Sequence, residues 1–187
     1  MNPNVAIAVA FVVGVLVGVV VMYAAQQERT ARLKKQFGPE YGRVIADTGD
    51  RYRTEAVLEE RHRRVRQLSI RPLTATERRN FEEGWRSVQA RFVDEPAVAL
   101  READVLIGKV MTAQGYPVTE FEHRAEDISV DHPIVVENYR DGHAIAIRNE
   151  QGRASTEDLR KAMLNYRRLF EELVGLPEWE PAERTRL

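Results

Sequence analysis

Residues 5 to 25 read VAIAVAFVVGVLVGVVVMYAA and carry no charged side chain. At 1.5 Å of rise per residue, these 21 residues form a helix of about 31 Å, which matches a bilayer hydrocarbon core of roughly 30 Å. A cleaved signal peptide shows Lys or Arg ahead of its apolar core and small residues at −3 and −1 of the cut. Here the leading MNPN has no charged side chain, and a cut after Ala25 would put Tyr23 at −3. The run therefore predicts an uncleaved transmembrane helix over 5–25, in direct contact with the lipid bilayer, behind a short flank at 1–4.

The flanks orient it. Arg29, Arg32, Lys34 and Lys35 crowd the far end with Glu28 as the lone acid among them. By the positive-inside rule this predicts a single-pass protein of a bacterial inner or plasma membrane with residues 29 to 187 in the cytoplasm. Tyr23 stands where an interfacial aromatic sits. Ala6, Ala10, Gly14 and Gly18 recur every four residues and line one face with small side chains, a pattern through which two such helices can self-associate as a homodimer.

The chain beyond the span is of one-domain size. The absence of cysteine excludes disulfides, thiolate metal sites and cysteine nucleophiles. The overall charge of −1 hides an asymmetry: residues 26 to 72 carry twelve Lys or Arg against seven acids, whereas the remainder carries sixteen against twenty-two. A basic part beside the membrane and an acidic part beyond it suit anionic headgroups and predict no nucleic-acid partner.

The helical punctuation is dense. Gly38-Pro39 closes the juxtamembrane extension and opens a short helix that Gly49 ends. Asp50 caps the next helix, whose middle, EERHRR, leaves only a narrow apolar seam. Glu59 to Arg63 and Glu60 to Arg64 have the favourable i to i+4 order, so RHRRVR at 61–66 reads as a solvated face. Thr74 with Glu77 has capping-box spacing before a helix at 75–93 that aligns Phe81, Trp85, Val88 and Phe92. Pro96 opens a helix that Gly115 stops. Thr119 is expected to cap a short helix, and Asp131 or His132 the one after it, running to about Asn149. Ser155 with Asp158 opens the last helix, which Gly175 and Pro177 end. No segment alternates as a strand does. The fold class is all-α: a transmembrane helix, a charged juxtamembrane helical arm over 26–70, a helical bundle over 71–175 and a loose tail over 176–187.

FGPEYGRVIADTGD, LSIRPLTATER, VQARFVDEPAVALREADVLIGKVMTAQGYPV and ISVDHPIVVENYR together resemble an uncharacterised bacterial family, over most of residues 37 to 175. The resemblance implies a single helical anchor on an all-helical protein, and it brings no activity and no functional residue. Some members are loosely called secreted, against the orientation of the basic flank, and Gly42 departs from a charged residue at that place.

The candidate polar site is His123, Asp127, Asp131, His132 and His143. On one helix, His132 and His143 would lie three turns and about 16 Å apart, too far to share a metal. HExxH spacing is absent, as are a P-loop, GxGxxG and GxSxG. Asp131 and His132 read more simply as a cap and its neighbour, His143 as a half-buried polar residue, and Asp127 and Glu137 as surface carboxylates. Neither cofactor nor catalytic set is predicted. The leading expectation is a membrane-tethered adaptor that binds another protein. The alternatives are a metal-dependent or hydrolytic enzyme using the 123–143 region, and an exported membrane-anchored domain.

Overall fold

The structure, a computed structural model, describes residues 3–117 and 119–175, with side chains from residue 12 onward. The side chains of Ala6 and Ala10 and the tail at 176–187 lie outside the described residues. Among the described residues the chain is all-α, with eight helices and no strand. It divides into two compact units, Met1–Leu58 and Glu59–Leu187.

In the first unit, α1 (Pro3–Phe37) is continuous for 35 residues, carrying the apolar run straight into the basic flank. It is long and apolar enough to cross a membrane, and its side chains from Val12 to Tyr23 are exposed. Length and composition suit a membrane anchor or a signal sequence alike. Gly38, at φ 48°, ends it in a conformation that side chains with a Cβ avoid. Pro39 then begins α2 (Pro39–Thr48) as the first helical residue. Leu33 and Phe37 of α1 and Tyr41 and Val44 of α2 are buried, and the Lys34 ammonium lies 5.4 Å from the centre of the Tyr41 ring. The Asp50 carboxylate accepts from the Arg53 amide at 2.8 Å and caps α3 (Arg51–Arg66). Two residues beyond Arg53, Glu55 is fully buried and accepts from the Thr30 hydroxyl at 2.5 Å.

The second unit holds the outer half of α3 and five more helices: α4 (Ala75–Asp94), α5 (Pro96–Gln114), α6 (Phe121–Asp131), α7 (Val136–Glu150) and α8 (Thr156–Val174). Complete capping boxes at Thr74/Glu77 and Ser155/Asp158 fix the starts of α4 and α8. Packing is layered, with α5 against both α4 and α8, and α7 against α8 and α6. That position explains the composition of α5, which buries Ala99, Leu100, Ala103, Ile107, Val110 and Met111. Trp85 stacks on Phe170 at 4.6 Å between ring centres. Gly115 ends α5 at φ 102°, and a Cβ there would stand 2.6 Å from the Ser69 carbonyl oxygen, so the crossing chain requires glycine.

Three expectations are corrected. Glu120, not Thr119, is the N-cap residue of α6, and no side chain caps it. Asp131 and His132 close α6 instead of opening the next helix, because the Asp131 carboxylate is taken by the Tyr116 hydroxyl at 2.8 Å and α7 starts only at Val136. The basic run 61–66 is not a solvated face throughout, since Arg61 is only 7% exposed. Arg64 pairs with Glu126 and Asp127, and Glu60 pairs with Arg63. The sequence pattern weighed only neighbours on one helix, whereas the acids that satisfy Arg61 and Arg64 lie more than sixty residues away on α6.

Candidate functional site

The charged pairs define the first part of the site. The Arg64 Nε donates to Asp127 Oδ1 at 2.9 Å and its terminal nitrogen to Glu126 Oε2 at 3.2 Å, while Arg61 donates to Glu126 Oε1 at 3.0 Å. Burial opposes the charge on Arg64, but hydrogen bonds and attraction from Asp127 and Glu126 outweigh it and raise the guanidinium above its ordinary value. Asp127, expected as a surface carboxylate, is only 2% exposed. Successive residues Asp127, Ile128, Ser129 and Val130 of α6 are all buried, so packing encloses this acid as well, and burial is tolerated because the acid is paired. The cluster holds α3 to α6.

Next to it, a cleft of about 340 Å³ is lined by His62, Val65, Leu68, Gln114, Tyr116 and His132, among others, with Asp131 at its wall. The Tyr116 phenol is raised above its ordinary value by burial and by the Asp131 carboxylate it donates to. His132 Nδ1 lies 3.0 Å from Glu172 Oε1, and the amide of Gln114 donates to the Leu173 carbonyl at 2.8 Å. Of the five expected site residues, this cleft brings together Asp131 and His132 alone. His123 is exposed on α6. His143 is half-buried on α7, not on a helix shared with His132, and stacks on Phe121 at 3.5 Å between ring centres; burial lowers its pKa. Among the described residues no three His, Cys, Asp or Glu converge on one point.

Sequence reasoning passed over His62, Gln114 and Tyr116, which carry no local signal: one sits in a charge run and the others at a helix end. Tyr139 and Tyr166 carry polar hydroxyls into the core. Both are fully buried, yet the Tyr139 hydroxyl donates to Asp104 at 3.0 Å, and Asp104 also meets Arg124 at 3.3 Å.

A second concavity, about 390 Å³, runs along α4 and α5. Its floor is Gly84, Val88, Val105 and Leu106, and Arg101, Glu102 and Lys109 flank it. Val105 is 56% exposed, a large apolar side chain open to solvent beside Arg101, Glu102 and Lys109.

Among the described residues the protein is all-α, with one helix, near the N-terminus, both long and apolar enough to cross a membrane. Comparison with protein-family models, curated proteins and solved structures gave no match.

Proposed function

We propose that this is a single-pass membrane protein whose helical unit from Glu59 onward serves as a membrane-tethered protein-interaction or adaptor module on the cytoplasmic side. The observation that carries the reading is the exposed apolar length of α1 running without a break into Arg29, Arg32, Lys34 and Lys35. An apolar surface of that size is costly in water and stable in lipid, and the basic flank sets the direction. The open space over Gly14 and Gly18 suits close approach of a second α1. The α4/α5 groove, with Val105 exposed at its floor, supplies a surface for the protein partner.

The test uses the full-length chain in its membrane. A reporter fused after Leu187 is active when it is of the kind that works only in the cytoplasm, and silent when it works only outside. Activity of the outside reporter alone would reverse the orientation. Affinity capture of the membrane-extracted protein enriches a partner over an unrelated membrane-anchored helical protein, and Val105→Asp removes it. Equal recovery by both baits would reject the adaptor reading.

A further inference from the structure

We propose that the α2–α3 turn, residues 49–53, is a second membrane contact, seated in the lipid headgroup layer with Tyr52 as an interfacial aromatic and Arg51 and Arg53 on lipid phosphates. The inference rests on the reading of α1 as a membrane anchor.

The level of the turn is set by contacts within the first unit. Thr30 lies five residues past Ala25, where the apolar run ends, which on a continuous helix is about 7–8 Å. The Thr30 hydroxyl donates to Glu55 at 2.5 Å and the Arg29 Nε lies 3.7 Å from the same carboxylate, so Glu55 of α3 stands at that level. Burial gives the direction of α3. Leu58, one turn past Glu55, is fully buried, and among the described side chains of α1 the buried apolar ones are Leu33 and Phe37, beyond Thr30. The helix therefore runs away from the apolar span, and its first residues lie on the membrane side of Glu55. Three and four residues before Glu55, at 1.5 Å each, Tyr52 and Arg51 stand about 1–3 Å past the end of the apolar run. Headgroups occupy roughly the 5–7 Å beyond the hydrocarbon on each side, so the turn falls inside that layer.

Side-chain chemistry agrees with the placement. Tyr52 is 60% exposed, as bare as Tyr23 at 63% on the span itself. This large aromatic stands at the first turn of a charged helix, with the Arg51 guanidinium 5.2 Å from its ring centre. Tyrosine with an apolar body and a wet hydroxyl is favoured at the membrane interface, and arginine forks match phosphate oxygens. The acids nearby are Asp47, Asp50 and Glu55; the Asp50 carboxylate is engaged by the Arg53 amide, and the buried Glu55, already bonded to Thr30, lies 4.0 Å from the Arg51 Nε at the edge of ion-pair range. The contact is therefore with phosphate and interface, not with net charge. Gly49, at φ 67°, makes the tight reversal that presents the three side chains together.

The chain has no cysteine, so single cysteines report unique positions. The full-length protein is reconstituted in phosphatidylcholine and phosphatidylglycerol vesicles with a fluorophore at Gly18→Cys, Tyr23→Cys, Lys35→Cys or Tyr52→Cys. Quenching by lipids spin-labelled at the headgroup is then measured, and for Gly18→Cys by lipids labelled deep in the acyl chain. The expected result is quenching at position 52 close to that at 23 and several-fold above that at 35. A label at Ala46→Cys loses most of its headgroup quenching when Arg51→Gln, Tyr52→Ser and Arg53→Gln are combined, while circular dichroism stays that of the parent. Quenching at 52 no greater than at 35, with position 18 still quenched from the bilayer interior, overturns the contact and leaves the anchor standing. No deep quenching at 18 overturns both.

Discussion

Gly142→Ala is expected to destabilise the protein although alanine is the better helix former. Gly142 lies inside α7, where a Cβ would stand 2.8 and 2.9 Å from Cε1 and Cδ1 of Tyr166 and 3.4 Å from the Ala162 carbonyl oxygen. Carbon atoms pack at about 3.5–4.0 Å, so the Tyr166 ring must retreat by roughly 1 Å. It has little room, being fully buried with Tyr139 at 5.8 Å between ring centres. Overpacking of this kind costs about 1–3 kcal/mol, and the propensity gain from Gly to Ala returns about 1 kcal/mol. The net is about 1 kcal/mol of destabilisation, or a Tm lower by roughly 2–4 °C for a chain of this size. The assay is thermal melting by circular dichroism of the full-length protein in detergent, beside Gly42→Ala. Gly42 is also inside a helix, and its Cβ would meet nothing within 4 Å, so that variant gains stability by up to about 1 kcal/mol. Removing the ring should relieve the clash, making Gly142→Ala less harmful in a Tyr166→Leu background. A Gly142→Ala protein as stabilised as Gly42→Ala would refute the close approach of α7 and α8.

Asp127→Asn removes the nearer of the two carboxylates on Arg64 and leaves Glu126 as its charged partner. Breaking a fully buried pair costs about 3–5 kcal/mol, but the Arg64 side chain is 36% exposed and solvent screens part of the loss, so about 1–3 kcal/mol is expected. A cycle with Arg64→Ala measures it by chemical denaturation, and strict additivity would refute the pairing. His143 has its pKa lowered by burial, so as pH falls the unfolded chain takes up the proton first. Its contribution is complete above about pH 6.5 and declines as pH drops below that value, so His143→Gln should flatten the fall in Tm between about pH 7 and pH 5. An unchanged profile would count against the burial.

Features legible in the sequence were those carried by neighbours. Thr74 and Glu77, or Ser155 and Asp158, meet across three residues whatever the rest of the chain does, and both capping boxes are present. Gly49, Gly115 and Gly175 end their helices at positive φ for the same local reason. The aromatic spacing of α4 placed Trp85 and Val88 on the buried face correctly. The candidate site was legible only as a set of residue types. Asp131 and His132 do share a cleft, but the wall they meet is built by His62 and Tyr116 from distant segments, and no spacing rule links those positions.

The misread acids and arginines have a common physical cause. Charged side chains are assigned to water because burying one without a partner is prohibitive, yet the penalty falls once a partner of opposite sign is brought to it. With 30% of the chain charged and helices such as α3 poor in apolar residues, the inner faces must accept some charge or leave helices unpacked. Glu55 with Arg29 and Thr30, and Asp127 with Arg64, are such cases, one in each unit. Both acids sit where a leucine would pack, and both have partners 25 or more residues away. A leucine would satisfy burial in many registers, whereas a carboxylate is satisfied only where its donor stands. In the first unit that requirement fixes the height of α3 on α1, and with it the level at which Tyr52 is presented.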